Sequence, residues 1–161
     1  MIRIADFCDL QRILEIYSTA RKFMSENGNP TQWAGGYPQK SLVESDIESG
    51  YLHVLEADGK IHAVFALLPN GDSVYDKIDG KWQNDEPYAA VHRVASSGEL
   101  RGAGRKCLCY AIDRYGNVKI DTHKDNAPMR HVLLSLGFCE CGTVTIENGE
   151  QRIAYQHTRA K

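Results

Sequence analysis

The chain has 161 residues, of which 42% are hydrophobic and 25% charged, with a formal net charge of −2. That length suits one domain with a core of its own. A charge this close to neutral leaves no electrostatic footprint for nucleic acid or an anionic membrane surface, so neither is expected as a partner.

The start, MIRIADFCDL, has neither the basic segment nor the long apolar stretch of a signal peptide. The longest unbroken apolar run, Ala63 to Leu68, falls far short of the roughly 20 residues that span a bilayer. The expectation is a cytoplasmic protein. Five cysteines, an odd number, read as reduced thiols rather than a disulfide framework. Cys107/Cys109 and Cys139/Cys141 lack the spacing of zinc pairs, and on a helix i and i+2 point apart, so no metal is expected and the thiols read as buried small hydrophobes.

In chain order, Ile2 to Ile4 is a short strand, and Asp6 caps a helix whose apolar face is Leu10, Ile13, Leu14, Tyr17 and Met24. NGNP, Asn27 to Pro30, ends it. A glycine-rich loop carries Trp33 and Tyr37, and SLVESDIESG forms a second, shorter helix. YLHVLEA and IHAVFALLP flank Asp58-Gly59, a strong hairpin signal. From Asn70 to Pro87 periodicity is lost, and Tyr75 and Trp82 either fold over something or anchor the loop. YAAVHRVA is a strand leading into SSGELRGAGRKCLCYAIDRYG, where Leu108, Ala111, Ile112 and Tyr115 form one helical stripe behind Gly102 and Gly104. VKIDT is a further strand. Asn126 caps a helix with Met129, Val132, Leu133 and Leu136 on one face, stopped by Gly137. GTVTIE and EQRIAYQH close the chain as a hairpin about Asn148-Gly149.

These elements describe a single α+β domain over residues 1–161. Its sheet is mixed and mostly antiparallel, with one parallel β-α-β unit and a terminal hairpin. The loop of that unit lies at the carboxyl end of a strand, where ligands bind in mixed architectures. Glycines let backbone approach an anion, and a helix start offers amide donors and a positive dipole end. Arg101, Arg105 and Lys106 add charge. The loop is neither a P-loop nor a dinucleotide fingerprint, and a pyrophosphate is its natural guest. A tight turn with solvated cations is the plain alternative.

With these residues the sequence resembles the GNAT superfamily of acyl-CoA-dependent N-acetyltransferases. The match is Arg101–Arg105 against the family's pyrophosphate loop, with Lys106 where a small residue is usual, Asn126 eleven residues before Gly137-Phe138, and the element order along the chain. The resemblance implies a GNAT-like fold, acetyl-CoA as acyl donor and an amine of a small molecule or peptide as acceptor; a homodimer is compatible with it. It implies cofactor contacts from Val94, Ala95, Ser96, Arg101, Gly102, Ala103, Gly104, Arg105, Lys106 and Asn126. It also implies that the aromatic loops face the acceptor, with Trp33, Tyr37, Trp82 and His123 as substrate-binding candidates. His92, sharing strand phase with Val94 and Ser96, is the candidate base for the amine proton; a packed strand histidine is the alternative, and His123 and Glu86 are further candidates. Leu133 stands where family members often carry a tyrosine acid. A non-catalytic acyl-CoA-binding module and a thiol-dependent acyltransferase are the rival readings.

Overall fold

A computed structural model describes residues 1–159, so the last two residues of the expected domain lie outside the described residues. The described residues form eight strands and four α-helices: β1 (Ile2–Ile4), α1 (Leu10–Glu26), α2 (Lys40–Glu48), β2 (Leu52–Ala57), β3 (Lys60–Leu68), β4 (Asp79–Gly80), β5 (Ala89–Ser96), α3 (Ala103–Tyr115), β6 (Val118–Thr122), α4 (Ala127–Ser135), β7 (Cys139–Thr145) and β8 (Gln151–His157). The strands form one open mixed sheet in the order β1-β2-β3-β5-β6-β8-β7-β4, in which β5 and β6 run parallel. The chain divides into two compact units, Met1–Leu67 with His92–Tyr110, and Leu68–Val91 with the chain from Ala111 onward.

In the first unit, Asp6 accepts from the Cys8 amide and Asp9 returns a bond to the Asp6 amide, a capping box on a short 3-10 turn (Phe7–Asp9) that runs into α1. Arg3 grips Asp9 through two bonds of 2.8 and 2.9 Å and holds its carboxyl below the usual range. The buried stripe of α1 is Ile13, Ile16, Tyr17 and Ala20. The expected face of Leu10, Ile13, Leu14, Tyr17 and Met24 is thus corrected by about one position, because Ile16 and Ala20 turn inward while Leu14 and Met24 lie half-buried at its edges. The β2–β3 hairpin turns on Asp58 (φ 53) and Gly59 (φ 71), the paired left-handed conformation of a type I′ turn.

In the second unit, β6, β8 and β7 are antiparallel neighbours, and β5 joins β6 through Ala89↔Val118, Ala90↔Lys119 and Val91↔Ile120. Asn126 caps α4 through the Met129 amide at 3.3 Å, as the sequence implies. At its far end the Phe138 amide bonds Leu133 O and the Gly137 amide bonds Leu134 O, a Schellman motif with Gly137 at φ 90. β7 begins at Cys139, ahead of the expected GTVTIE, and the two-residue strand β4 pairs with it inside the region that showed no periodicity. The cysteines are less uniform than expected: Cys107 is buried, but Cys8 and Cys139 are exposed and Cys109 and Cys141 are intermediate.

Gly80 and Gly142 face each other across β4 and β7. A Cβ on Gly142 would sit 2.2 Å from Asp79 O, and its φ of +145° disfavours any side chain. Gly142→Ala is therefore expected to destabilise the protein by roughly 1–3 kcal/mol, measured by chemical denaturation. Parental stability in that variant would show that β4 is not clamped to β7.

Candidate active site

Strand β5 is irregular at Arg93, whose backbone adopts φ 54, a left-handed conformation that non-glycine residues rarely hold in a strand. Two interactions fix it. The Arg93 guanidinium donates to both Asp46 oxygens, Nε to Oδ2 and Nη2 to Oδ1, each at 2.9 Å. The Tyr17 hydroxyl donates to Arg93 O at 3.0 Å. Side-chain exposures of 13% for Arg93 and 7% for Asp46 make this a buried bidentate pair. Tyr17 is fully buried, and burial pushes its phenol well above the ordinary range, so it stays a neutral donor. α1 and α2 thus reach β5 through one side chain each.

The kink bears on His92. The two-residue period that placed His92 on the face of Val94 and Ser96 does not run through a left-handed residue. Strand phase alone therefore does not align them. His92 is half-buried, and its charge, when present, lies in electrostatic range of Asp46.

Beyond the kink the strand leads into the glycine loop. The Ser97 amide donates to His62 O on β3 at 2.8 Å, and the Gly98 amide donates to Ser96 Oγ at 3.2 Å. Glu99 binds Arg12 of α1 at 3.1 Å and pairs with Lys60 of β3. Those two cations hold its carboxyl below the usual range, so the anchor persists above the ordinary glutamate pKa and is lost as pH falls through the lowered value. Gly98 (φ 81) and Gly102 (φ 74) supply the left-handed turns. Ala103 is buried and starts α3, while Arg101, Arg105 and Lys106 are exposed around its first turn. A Cβ on Gly104 would meet Val94 Cγ1 at 3.8 Å, an ordinary contact, so the helix start lies against β5 with space for a methyl group at this position. Val94 and Ser96 are half-buried and Ala95 is buried. The structure thus brings Val94 to Lys106 together as one anchored turn.

The aromatic candidates are more occupied than the sequence implies. Trp33 is 8% exposed and packs edge-on to Tyr17 at 5.7 Å, with Tyr37 at 6.3 Å. The Tyr37 hydroxyl accepts a long 3.4 Å bond from Arg93 Nη1. In the second unit the face of Trp82 is covered by the protein's own Lys119, with Nζ 4.1 Å from the ring centroid. His123 Nδ1 accepts from the Asp125 amide at 3.0 Å, a local turn that engages one ring nitrogen. Glu86 is exposed, and its carbonyl accepts from Asn117 Nδ2 at 3.4 Å. Leu133 is fully buried. The Cys107 thiol, buried in α3, is pushed up to about 12 by burial, which makes it a poor nucleophile. Sequence reasoning missed Asp46 and Tyr17 as partners of Arg93, because the bond from strand to helix spans 47 residues and no local pattern encodes it.

No family profile matches the chain, and no curated relative does. Solved structures do. A GNAT-family acetyltransferase of Streptococcus agalactiae superposes with a TM-score of 0.90 at 32% identity, covering 100% of this chain and 96% of its own. The chain belongs to the GNAT acetyltransferase family. A Staphylococcus aureus protein taken to be an acetyltransferase follows at 27% identity and TM-score 0.72, covering 98% of both chains. The ribosomal-protein-alanine N-acetyltransferase of Brucella melitensis, at 19% identity, TM-score 0.62 and coverage of 98% and 99%, shares the fold. This GNAT protein is accordingly an acyltransferase, and the family's general donor is acetyl-CoA.

Breaking the Arg93–Asp46 pair from one side strands a buried charge. Asp46→Asn is expected to lose about 3–5 kcal/mol of stability, and adding Arg93→Met should recover much of that loss. Denaturation of the two single variants and the double variant measures the coupling. Additive losses would show that the pair does not hold the kink.

Proposed function

We propose that this GNAT protein moves the acetyl group of acetyl-CoA to a primary amine of a small molecule or peptide, by direct attack of the amine on the thioester carbonyl. The observation that carries this reading is the anchored turn from Ser96 to Lys106. Left-handed glycines end in a helix start ringed by three exposed cations, on a strand whose geometry is locked one turn earlier. Gly102 and the first-turn amides of α3 would bind the pyrophosphate, with Arg101, Arg105 and Lys106 supplying charge. The backbone of Val94 and Ser96 would pair with the pantetheine arm and orient the thioester carbonyl. Asn126, already a helix cap, would add a coenzyme contact, which Asn126→Asp tests by keeping the cap and adding a charge.

An alkylamine has a pKa near that of lysine, ~10.4, and arrives mostly as ammonium, so a proton must leave before its nitrogen can attack. His92 would take it, directly or through a water. As the C–N bond forms, the C–S bond breaks and the pair of electrons leaves on sulfur, while the nitrogen's second proton passes to solvent or to the departing sulfur. A thiol titrates near ~8.5, so its thiolate departs at neutral pH without a strong acid. That fits an apolar Leu133 at the place of the family's tyrosine.

Calorimetry should show acetyl-CoA binding at low salt that weakens as salt rises, and Arg101→Glu with Arg105→Glu should abolish it while the protein stays folded. Absence of binding at low salt would overturn the assignment of the loop. In a transfer assay that follows free thiol with a panel of amines, His92→Ala should turn over about 10²-fold more slowly with acetyl-CoA affinity nearly unchanged. Its rate should recover in part at high pH, where the amine arrives neutral. Parental turnover across the pH range would return His92 to a structural role.

A further inference from the structure

Lys119 lies on β6 in the second unit and is 5% exposed. Its ammonium sits between two aromatic rings, 4.1 Å from the centroid of Trp82 and 4.0 Å from that of Tyr88. Among the described residues no carboxylate lies within 4 Å of it and no acceptor takes a hydrogen bond from it. Asp121, two residues on along the same strand face, is turned to another partner, accepting the Tyr75 hydroxyl at 2.7 Å. Cys141, Asp85 and Asp76 act on Lys119 only at longer range, and burial holds its ammonium below the ordinary lysine range.

The cage is built rather than incidental. Trp82 Nε1 donates to Tyr75 O at 2.9 Å, and the rings of Trp82 and Tyr88 pack on Tyr75 at 5.5 and 6.2 Å. The loop is clamped by the fully buried Gln156, which faces Lys119 across the β6–β8 ladder. Gln156 Oε1 accepts the Gln83 amide at 2.7 Å, and its Nε2 donates to Asn117 Oδ1 at 2.8 Å. Gln83, Asn117 and Gln156 thus pair with one another, while the Lys119 ammonium meets only the two ring faces among the described residues.

Two ring faces satisfy an ammonium in two directions, but an ammonium carries three N–H donors. Packing between the rings alone would be served as well by an apolar side chain of similar length, without the desolvation of a charge. We infer that Lys119, Trp82 and Tyr88 form a carboxylate-binding site, in which an anionic oxygen of a ligand accepts from the third donor of Lys119. One ammonium with one open donor suits a singly charged carboxylate; phosphate sites gather several donors.

The inference is tested without reference to acetyl transfer first. The ε-methylene of a lysine held between two rings has a ring-shifted NMR signal, assignable by its loss in Lys119→Met. Titration with acetate should move that signal saturably, whereas acetamide and chloride at matched ionic strength should not. Lys119→Met should keep the parental melting temperature or exceed it while acetate no longer binds. A lower melting temperature with no acetate response in the parent would make Lys119 a structural cation and overturn the site. A phosphate response in place of acetate would overturn the ligand class.

A second arm finds the source of the carboxylate. If the acceptor supplies it, Lys119→Met should raise KM about 10-fold or more for amines bearing a carboxylate and leave KM for their amides unchanged. An acetate response with no change in either KM makes the ligand a free carboxylate. Failure of acetyl-CoA binding would sink the proposed transfer while leaving the acetate titration intact, so the two failures are distinguishable.

Discussion

One buried ion pair sets the geometry on which the first unit's chemistry depends. A left-handed residue in a strand is unfavourable for any side chain but glycine, and arginine would relax to extended backbone if nothing held it. Asp46 holds the guanidinium by two equal bonds and Tyr17 holds the carbonyl of the same residue. Side chain and backbone of Arg93 are thus fixed from two different helices. This left-handed residue lies immediately before Val94, Ala95 and Ser96, the residues from which the glycine loop departs. Both ions are desolvated, so the pair is not a cheap source of stability. It specifies one backbone conformation, which an apolar pair of the same volume would not.

The loop itself is anchored at several points. Its first amide is tied to β3, its middle carboxylate to β3 and α1, and its end enters α3 through a left-handed glycine. An anion site whose amides are already aimed loses little entropy on binding. At such a site exposed cations add attraction that salt screens, and short contacts to backbone amides are screened less.

Much of this was legible in the sequence, and the parts that were not share a cause. Asx-Gly turns, the Asn126 cap, Gly137 and the glycine loop act over a few residues, so their chemistry is visible in a short window. The central strands and both hairpins followed from alternation and turn signals. The face of α1 was misplaced by about one position because Leu14 and Met24 are as apolar as the Ile16 and Ala20 that are buried, and only the sheet beneath decides between them. Arg93 read as one more strand residue, since its partners lie 47 and 76 residues away. The segment from Asn70 to Pro87 showed no period because, apart from the two-residue ladder of β4 on β7, it is held by side chains, Tyr75 to Asp121 and Gln83 to Gln156. Its aromatics do fold over something, and that something is a lysine of the same chain.

The central claim is that the turn from Val94 to Lys106 receives the coenzyme. Backbone amide NMR of the protein titrated with coenzyme A tests it most directly. The account predicts the largest shift changes at the amides of Gly102 to Lys106 and at Val94 and Ser96, saturating together with one affinity. Saturable shifts confined to other segments, with those amides unmoved, would contradict it.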